Sequence, residues 1–147
     1  MGIRDLTDTF ATSRPHERLD VWQDAMQLVE AVYRATSSFP VDERFGLTAQ
    51  LRRAAISVPS NIAEGAARRS TSEYLRHLSF ARGSLAELST QLEIAQRLGF
   101  GTNPALDVAL LDRTFARLNA LIRTYERRIR EPDAFPESPI PNPQSHA

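Results

Sequence analysis

Apolar residues recur every three or four positions along nearly the whole chain, and no segment alternates as a strand would. Four segments carry this helical period. The first, over residues 20–37, opens at Asp20, an N-cap that forms a capping box with Gln23. Trp22, Met26, Val29 and Tyr33 fall on one face with Ala25 and Val32 beside them, and Thr36 to Pro40 ends the segment. The second, 46–67, carries Leu47, Leu51, Ala54, Ala55, Val58 and Ile62 and closes at Gly65 and Arg68-Arg69-Ser70. The third, 71–98, opens on the capping box Ser70-Thr71-Ser72-Glu73. It continues through Leu75, Leu78, Ala81 or Arg82, Leu85, Leu88, Leu92 and Ala95, close to the heptad period of a left-handed bundle. Gly99 suits the left-handed position that ends such a helix. The fourth, 104–130, starts at Asn103-Pro104, presents Leu111, Phe115, Leu118, Ile122, Tyr125 and Ile129, and stops at Glu131-Pro132. Short connections between amphipathic helices predict an all-α, up-down four-helix bundle. Leu106, Leu110 and Leu121 widen the apolar face of the fourth helix, as a broad core face or a subunit contact would.

One segment interrupts the pattern. In Ala55-Ile56-Ser57-Val58-Pro59-Ser60-Asn61-Ile62-Ala63-Glu64-Gly65, a proline sits inside a helical apolar series. It removes one backbone hydrogen bond and costs roughly 3 kcal/mol. Pro59 therefore predicts a kink, with Ser57, Ser60 and Asn61 bonding the freed backbone. Glu64 in this small-residue stretch is either a buried acid with a perturbed pKa or, more simply, the ion-pair partner of a nearby arginine.

At 147 residues the chain fits one domain with a sizeable core. The bundle occupies 19–130, between a flexible segment at 1–18 and a disordered tail at 131–147 that holds 5 of the 9 prolines. With no cysteine there is no disulfide framework, thiol nucleophile or cysteine zinc site. No apolar run approaches the roughly 18 residues of a membrane span. The N-terminus lacks the apolar core of a secretory signal, so the expected location is the cytoplasm, with no membrane partner.

Catalytic chemistry finds little support. His16 and His146 lie in the expected loose ends, which leaves His77. No second histidine stands at a metal-ligand spacing, and no Glu-x-x-His motif, phosphate loop or nucleophile elbow occurs. Glu73 precedes His77 by four residues and reads as a surface pair on one helix. A hydrolase built on His77 and Glu73 is the only enzymatic alternative. No catalytic residue, metal or cofactor is expected.

The formal charge is zero, but it is unevenly spread. Residues 44–130 hold 14 Arg against 7 acids, a net +7; residues 1–43 carry −4 (4 against 8) and 131–147 carry −3. All 18 cationic residues are arginine, which grips phosphate as a planar fork, although a GC-rich coding bias gives the same composition. Candidate nucleic-acid contacts are Arg52, Arg53, Arg68, Arg69, Arg76, Arg113, Arg117, Arg123 and Arg127, with Arg82, Arg128 and Arg130 beside them. Arg113 and Arg117, like Arg123 and Arg127, are spaced i,i+4, where like charges repel by a few tenths of a kcal/mol. A polyanion relieves that repulsion and gains from counterion release. An ordinary solvated face, with cations favourably placed at a helix C-terminus, is the competing account.

These residues resemble the four-helix-bundle family encoded in intervening sequences of bacterial 23S ribosomal RNA genes, which includes the accessory variability protein of diversity-generating retroelements. The similarity runs from about Leu19 to Ile129. It is carried by Phe39-Pro40, Glu43 to Thr48, Gln50 to Ala55, the Ser57–Gly65 segment with Pro59, Asn61 and Glu64, and Tyr74, Leu75, Leu85, Glu87 and Leu88. The resemblance implies a homo-oligomer, most simply a pentameric ring. It also implies contact with RNA or DNA, and with a protein such as a reverse transcriptase, through basic surface. It brings no catalytic residues. The function expected is a non-catalytic oligomer that binds nucleic acid through arginines; the alternative is a scaffold for a protein partner, with those arginines in inter-helix salt bridges.

Overall fold

The computed structural model describes residues 14–101 and 108–131. Four helices account for most of them: α1 (Asp20–Thr36), α2 (Leu47–Ala66), α3 (Thr71–Arg97) and α4 (Val108–Arg130). Two 3-10 turns, Pro15–Arg18 and Val41–Glu43, precede α1 and α2. The expected start of the fourth helix at Asn103-Pro104, the C-terminal tail and most of the N-terminal segment lie outside the described residues. His16, expected in a loose end, sits in the first 3-10 turn with its ring 4.9 Å from that of Trp22.

Each helix packs against two others, α1 on α2 and α4, and α3 on α2 and α4, so the four stand at the corners of a square. Side-chain bonds fix the register. Gln50 meets Gln91, Ser57 meets Ser84 and Asn61 meets His77, so α2 and α3 run antiparallel. Tyr74 against Tyr125 and Arg82 against Asn119 set α3 antiparallel to α4 in the same way. Leu28, Leu51, Ile62, Leu78, Leu85, Leu88, Leu118 and Ile122 fill the centre and are fully buried. Burial of each contributes about 1.5–3 kcal/mol, and these residues supply most of the driving force.

The local signals were read correctly at some helix ends and not at others. Ser70 Oγ accepts the Glu73 amide at 3.1 Å, as its capping box predicts. Gly99 has φ of 75°, and the Phe100 amide reaches back to the Ala95 carbonyl at 2.9 Å, closing α3 as a left-handed cap. At α1 the expected box does not form. Leu19 occupies the N-cap without a side-chain bond, Asp20 is already helical, and Gln23 Nε2 donates to the Glu17 carbonyl of the preceding turn. At α2 an unforeseen cap appears: Glu43 Oε2 accepts the Leu47 amide at 2.9 Å, placing a carboxylate at the positive end of the helix.

The inward face of α1 also differs from expectation. Val21, Ala25, Leu28, Val32 and Ala35 are buried, whereas Met26 and Tyr33 are exposed and Trp22 and Val29 only half-buried. The helix is turned by about 100°, one residue's step. Both stripes are apolar, so the period alone does not choose between them. A long-range contact does: Asp24 of α1 is buried against Arg113 and Arg117 of α4, which requires this rotation.

Helix α2 passes through the buried Pro59 without ending. Asn61 Nδ2 donates to the Ser57 carbonyl at 2.9 Å, and Ser57 Oγ bonds Ser84 Oγ at 2.8 Å. No side-chain hydrogen bond among the described residues reaches the Ala55 carbonyl that Pro59 leaves without its amide. Asn61 thus bonds the α2 backbone beside the proline, as expected, while the Ser57 hydroxyl joins α2 to α3.

Gly65 sets how closely α2 and α3 meet at their turn. A Cβ there would lie 2.7 Å from His77 Cβ and 2.9 Å from Tyr74 Cδ2. Gly65→Ala is expected to lower stability by about 1–3 kcal/mol through overpacking, read by thermal unfolding; an unchanged melting temperature would show that the helices are free to part. Burial, and to a lesser degree neighbouring Tyr125, pushes the Tyr74 hydroxyl well above the ordinary phenol range. The unfolded chain releases that proton from about pH 10 while the folded chain keeps it, so stability falls as pH rises past that value. Denaturant titrations across that range should show a smaller fall in Tyr74→Phe.

Candidate functional site

The nine candidate arginines fall into two groups once their partners are known. Arg113 Nε lies 3.2 Å from Asp24 Oδ1 and Arg117 Nη1 lies 2.8 Å from Asp24 Oδ2. Asp24 is 3% exposed and is the one buried charged side chain among the described residues. The i,i+4 repulsion predicted for this arginine pair is thus neutralised from within, by a carboxylate of α1 held between two guanidinium groups of α4. In the sequence Asp24 is a lone acid within an apolar stripe, with no histidine at a catalytic or metal-binding spacing to mark it.

Arg52 is likewise engaged. Its Nε donates to Thr36 Oγ1 at 2.9 Å and its guanidinium lies 4.4 Å over the Tyr33 ring, joining α2 to the end of α1. Arg68 pairs with Glu64 at 2.7 Å. Glu64 is exposed, so the ion-pair reading describes it and the buried-acid reading does not. Arg76 stacks on Phe80 at 5.5 Å and Arg128 on Tyr125 at 4.6 Å.

Arg53, Arg69, Arg123 and Arg127 are exposed and make no ion pair among the described residues. The antiparallel topology brings three of them to one end of the bundle. The C-terminus of α2, the N-terminus of α3 and the C-terminus of α4 meet there, as the Tyr74–Tyr125 contact shows. Arg69, Arg76, Arg123, Arg127, Arg128 and Arg130 share that end, with Glu64, Glu73 and Glu126 as its acids on the same helices. Arg53 lies towards the opposite end.

The expected Glu73–His77 pair is absent. His77 Nδ1 faces Asn61 Oδ1 at 3.5 Å and Glu64 Oε2 at 3.9 Å, because α2 approaches so closely at Gly65 that the imidazole turns towards α2. Asn61 therefore joins Ser57, Ser84 and His77 in one polar seam between α2 and α3. The described residues contain no group of three or more side chains able to hold a metal, and no helix long and apolar enough to cross a membrane.

A second surface feature was not anticipated. Trp22, Met26 and Val29 of α1, left outside by its rotation, line an apolar groove with Ile56, Pro59 and Ala63 of α2. Its volume is about 350 Å³.

A family model described as 23S rRNA-intervening sequence protein matches residues 17–121, which include α1, α2, α3 and more than half of α4. A search of curated proteins gave no match.

Asp24→Ala is expected to cost about 2 kcal/mol in urea unfolding, less than the 3–5 kcal/mol of a wholly buried pair because both guanidinium groups reach water. Added to Arg113→Ala/Arg117→Ala it should cost far less than in the wild type. Strict additivity would show that the three groups do not interact.

Proposed function

The chain belongs to the 23S rRNA-intervening sequence protein family, and we propose that it is a non-catalytic, oligomeric protein that binds RNA or DNA. The observation that carries this reading is the cationic end of the bundle. Arg113, Arg117, Arg52 and Arg68 are held by partners within the chain, yet Arg69, Arg123 and Arg127 converge at one end without an ion pair among the described residues. Two exposed guanidinium groups on the last turns of α4 and one in the α2–α3 connection form a fork-rich surface suited to phosphate. Binding is then electrostatic, with little sequence preference.

Assembly strengthens such a site. A homo-oligomer, a ring of five on the family resemblance, repeats the cationic end on each subunit, and weak contacts on one nucleic acid add as avidity. The cytoplasm is the location this role requires.

The alternative of a protein scaffold is favoured by a different observation, the use of Arg52, Arg113 and Arg117 as inter-helix struts. On that reading the partner is a protein, such as the reverse transcriptase that the retroelement resemblance implies.

Fluorescence anisotropy with generic single-stranded RNA and duplex DNA tests the proposal. Log affinity should fall linearly with log salt, with a slope of about −0.7 to −0.9 per phosphate contacted. Arg69→Ala/Arg123→Ala/Arg127→Ala should weaken binding at least tenfold and flatten that slope, while Arg53→Ala at the far end leaves both unchanged. A triple variant that binds like the wild type, or a wild type that binds neither polymer at low salt, favours the scaffold.

A further inference from the structure

Residues 122–147 lie beyond the family match, and they divide sharply by charge. The last two turns of α4 carry Arg123, Arg127, Arg128 and Arg130 with one acid, Glu126. The chain then becomes acidic. Glu131, Asp133 and Glu137 follow, and no arginine or lysine occurs from 131 to 147. The Glu131 amide still reaches the Arg127 carbonyl at 2.8 Å, so the acidic run departs from the last turn of α4. Pro132 has no amide with which to continue that ladder.

The end of the bundle from which it departs is short of negative charge. With the Arg68–Glu64 pair set aside, α2, α3, α4 and the α2–α3 connection bring Arg69, Arg76, Arg123, Arg127, Arg128 and Arg130 there, against Glu73 and Glu126. Six cations against two acids leave four positive charges in excess, and Glu131, Asp133 and Glu137 supply three negative ones. The Tyr74–Tyr125 contact, 4.6 Å between ring centroids, sets the start of α3 beside the end of α4, so these charges share one surface. Reach is sufficient. At about 3.3–3.6 Å per residue, Asp133 extends up to about 7 Å from Glu131 and Glu137 up to about 20 Å. Arg123 lies only about 12 Å back along α4 at 1.5 Å per residue.

We propose that residues 131–147 fold back onto the cationic end of their own chain, so that RNA or DNA binds there by displacing an internal acidic competitor. This rests on the cationic end as the nucleic-acid surface and adds its regulation. A tethered segment acts at an effective concentration in the millimolar range, so contacts too weak to hold a free peptide are occupied. Each pair is exposed, individually weak and screened by salt. With fewer acids than arginines, no guanidinium is covered throughout, and each stays open to exchange with phosphate. A polymer that presents many phosphates displaces the tail readily, whereas an anion of low charge density does so poorly. The zero net charge of the chain then reflects a cationic site carried together with its own competitor.

The full chain tests this. Asp133→Asn/Glu137→Gln removes both acids that follow Pro132 and leaves every described residue in place. In fluorescence anisotropy the variant should bind generic single-stranded RNA about three- to tenfold more tightly than the wild type at low salt, as two exposed pairs are released. The gain should shrink as salt rises, so the variant has the steeper salt slope. The contact itself is read without nucleic acid. The chain has no cysteine, so Ser138→Cys takes a single nitroxide label. Its paramagnetic broadening should reach the amides of Arg69 to Glu73 in NMR spectra, and fade from them when Asp133→Asn/Glu137→Gln is added or salt is raised. No broadening at Arg69 to Glu73, or broadening indifferent to the two carboxylates, overturns the proposal. So does an affinity unchanged in the variant where the wild type binds RNA. If neither protein binds RNA, displacement and the nucleic-acid reading fail together, and the broadening still decides whether the tail sits on the cationic end.

Discussion

A carboxylate with 3% exposure beneath two arginines is the constraint on which the closure of this bundle depends. Three of the helix contacts follow the chain, but the fourth, between α1 and α4, joins its two ends. Asp24 stands in that seam. Left alone it would carry a large desolvation cost, and Arg113 and Arg117 one turn apart would repel each other. Brought together, each removes the other's penalty, and only one rotation of α1 against α4 permits it. The same rotation places Val21, Ala25, Leu28 and Val32 inside and leaves Trp22, Met26 and Val29 at the surface. The apolar groove is therefore a consequence of how the charge is satisfied.

That dependence explains what was legible in the sequence. The number of helices, their order and, the start of the fourth apart, their ends to within a residue or so follow from period and caps, because those signals are local. The inward faces of α2 and α3 were read almost residue for residue, since each has a single continuous apolar stripe. The face of α1 was not, because Trp22–Met26–Val29 and Val21–Ala25–Leu28 are both apolar and both helical in period. A partner 89 residues away decides between them, and no window on the sequence contains both Asp24 and Arg113. The Asp20 cap was misread for a similar reason: Leu19 closes the helix through backbone bonds, and Gln23 finds a better acceptor in the preceding turn.

The arginines show the same limit on the functional side. Composition placed a net positive charge on the middle of the chain, but composition does not separate struts from free cations. Folding does. Arg52, Arg113 and Arg117 hold helices together, Arg68 is absorbed by Glu64, and Arg53, Arg69, Arg123 and Arg127 remain, the last three at one end of the bundle. Glu64 takes the local arginine partner expected of it, Arg68, whereas His77 turns from Glu73 towards Asn61 and Glu64 of α2, where Gly65 lets the two helices approach closely. Side chains whose role depends on an adjacent helix are the ones that sequence patterns leave open.

The division of the arginines into held and free is the centre of this account. It is tested most directly by arginine-selective chemical footprinting with phenylglyoxal, read by mass spectrometry, with and without a generic RNA at low salt. The account predicts that Arg69, Arg123 and Arg127 react readily in the free protein and are protected by RNA, while Arg113 and Arg117 react slowly in both states. Protection spread evenly over all arginines, or confined to Arg113 and Arg117, would contradict it.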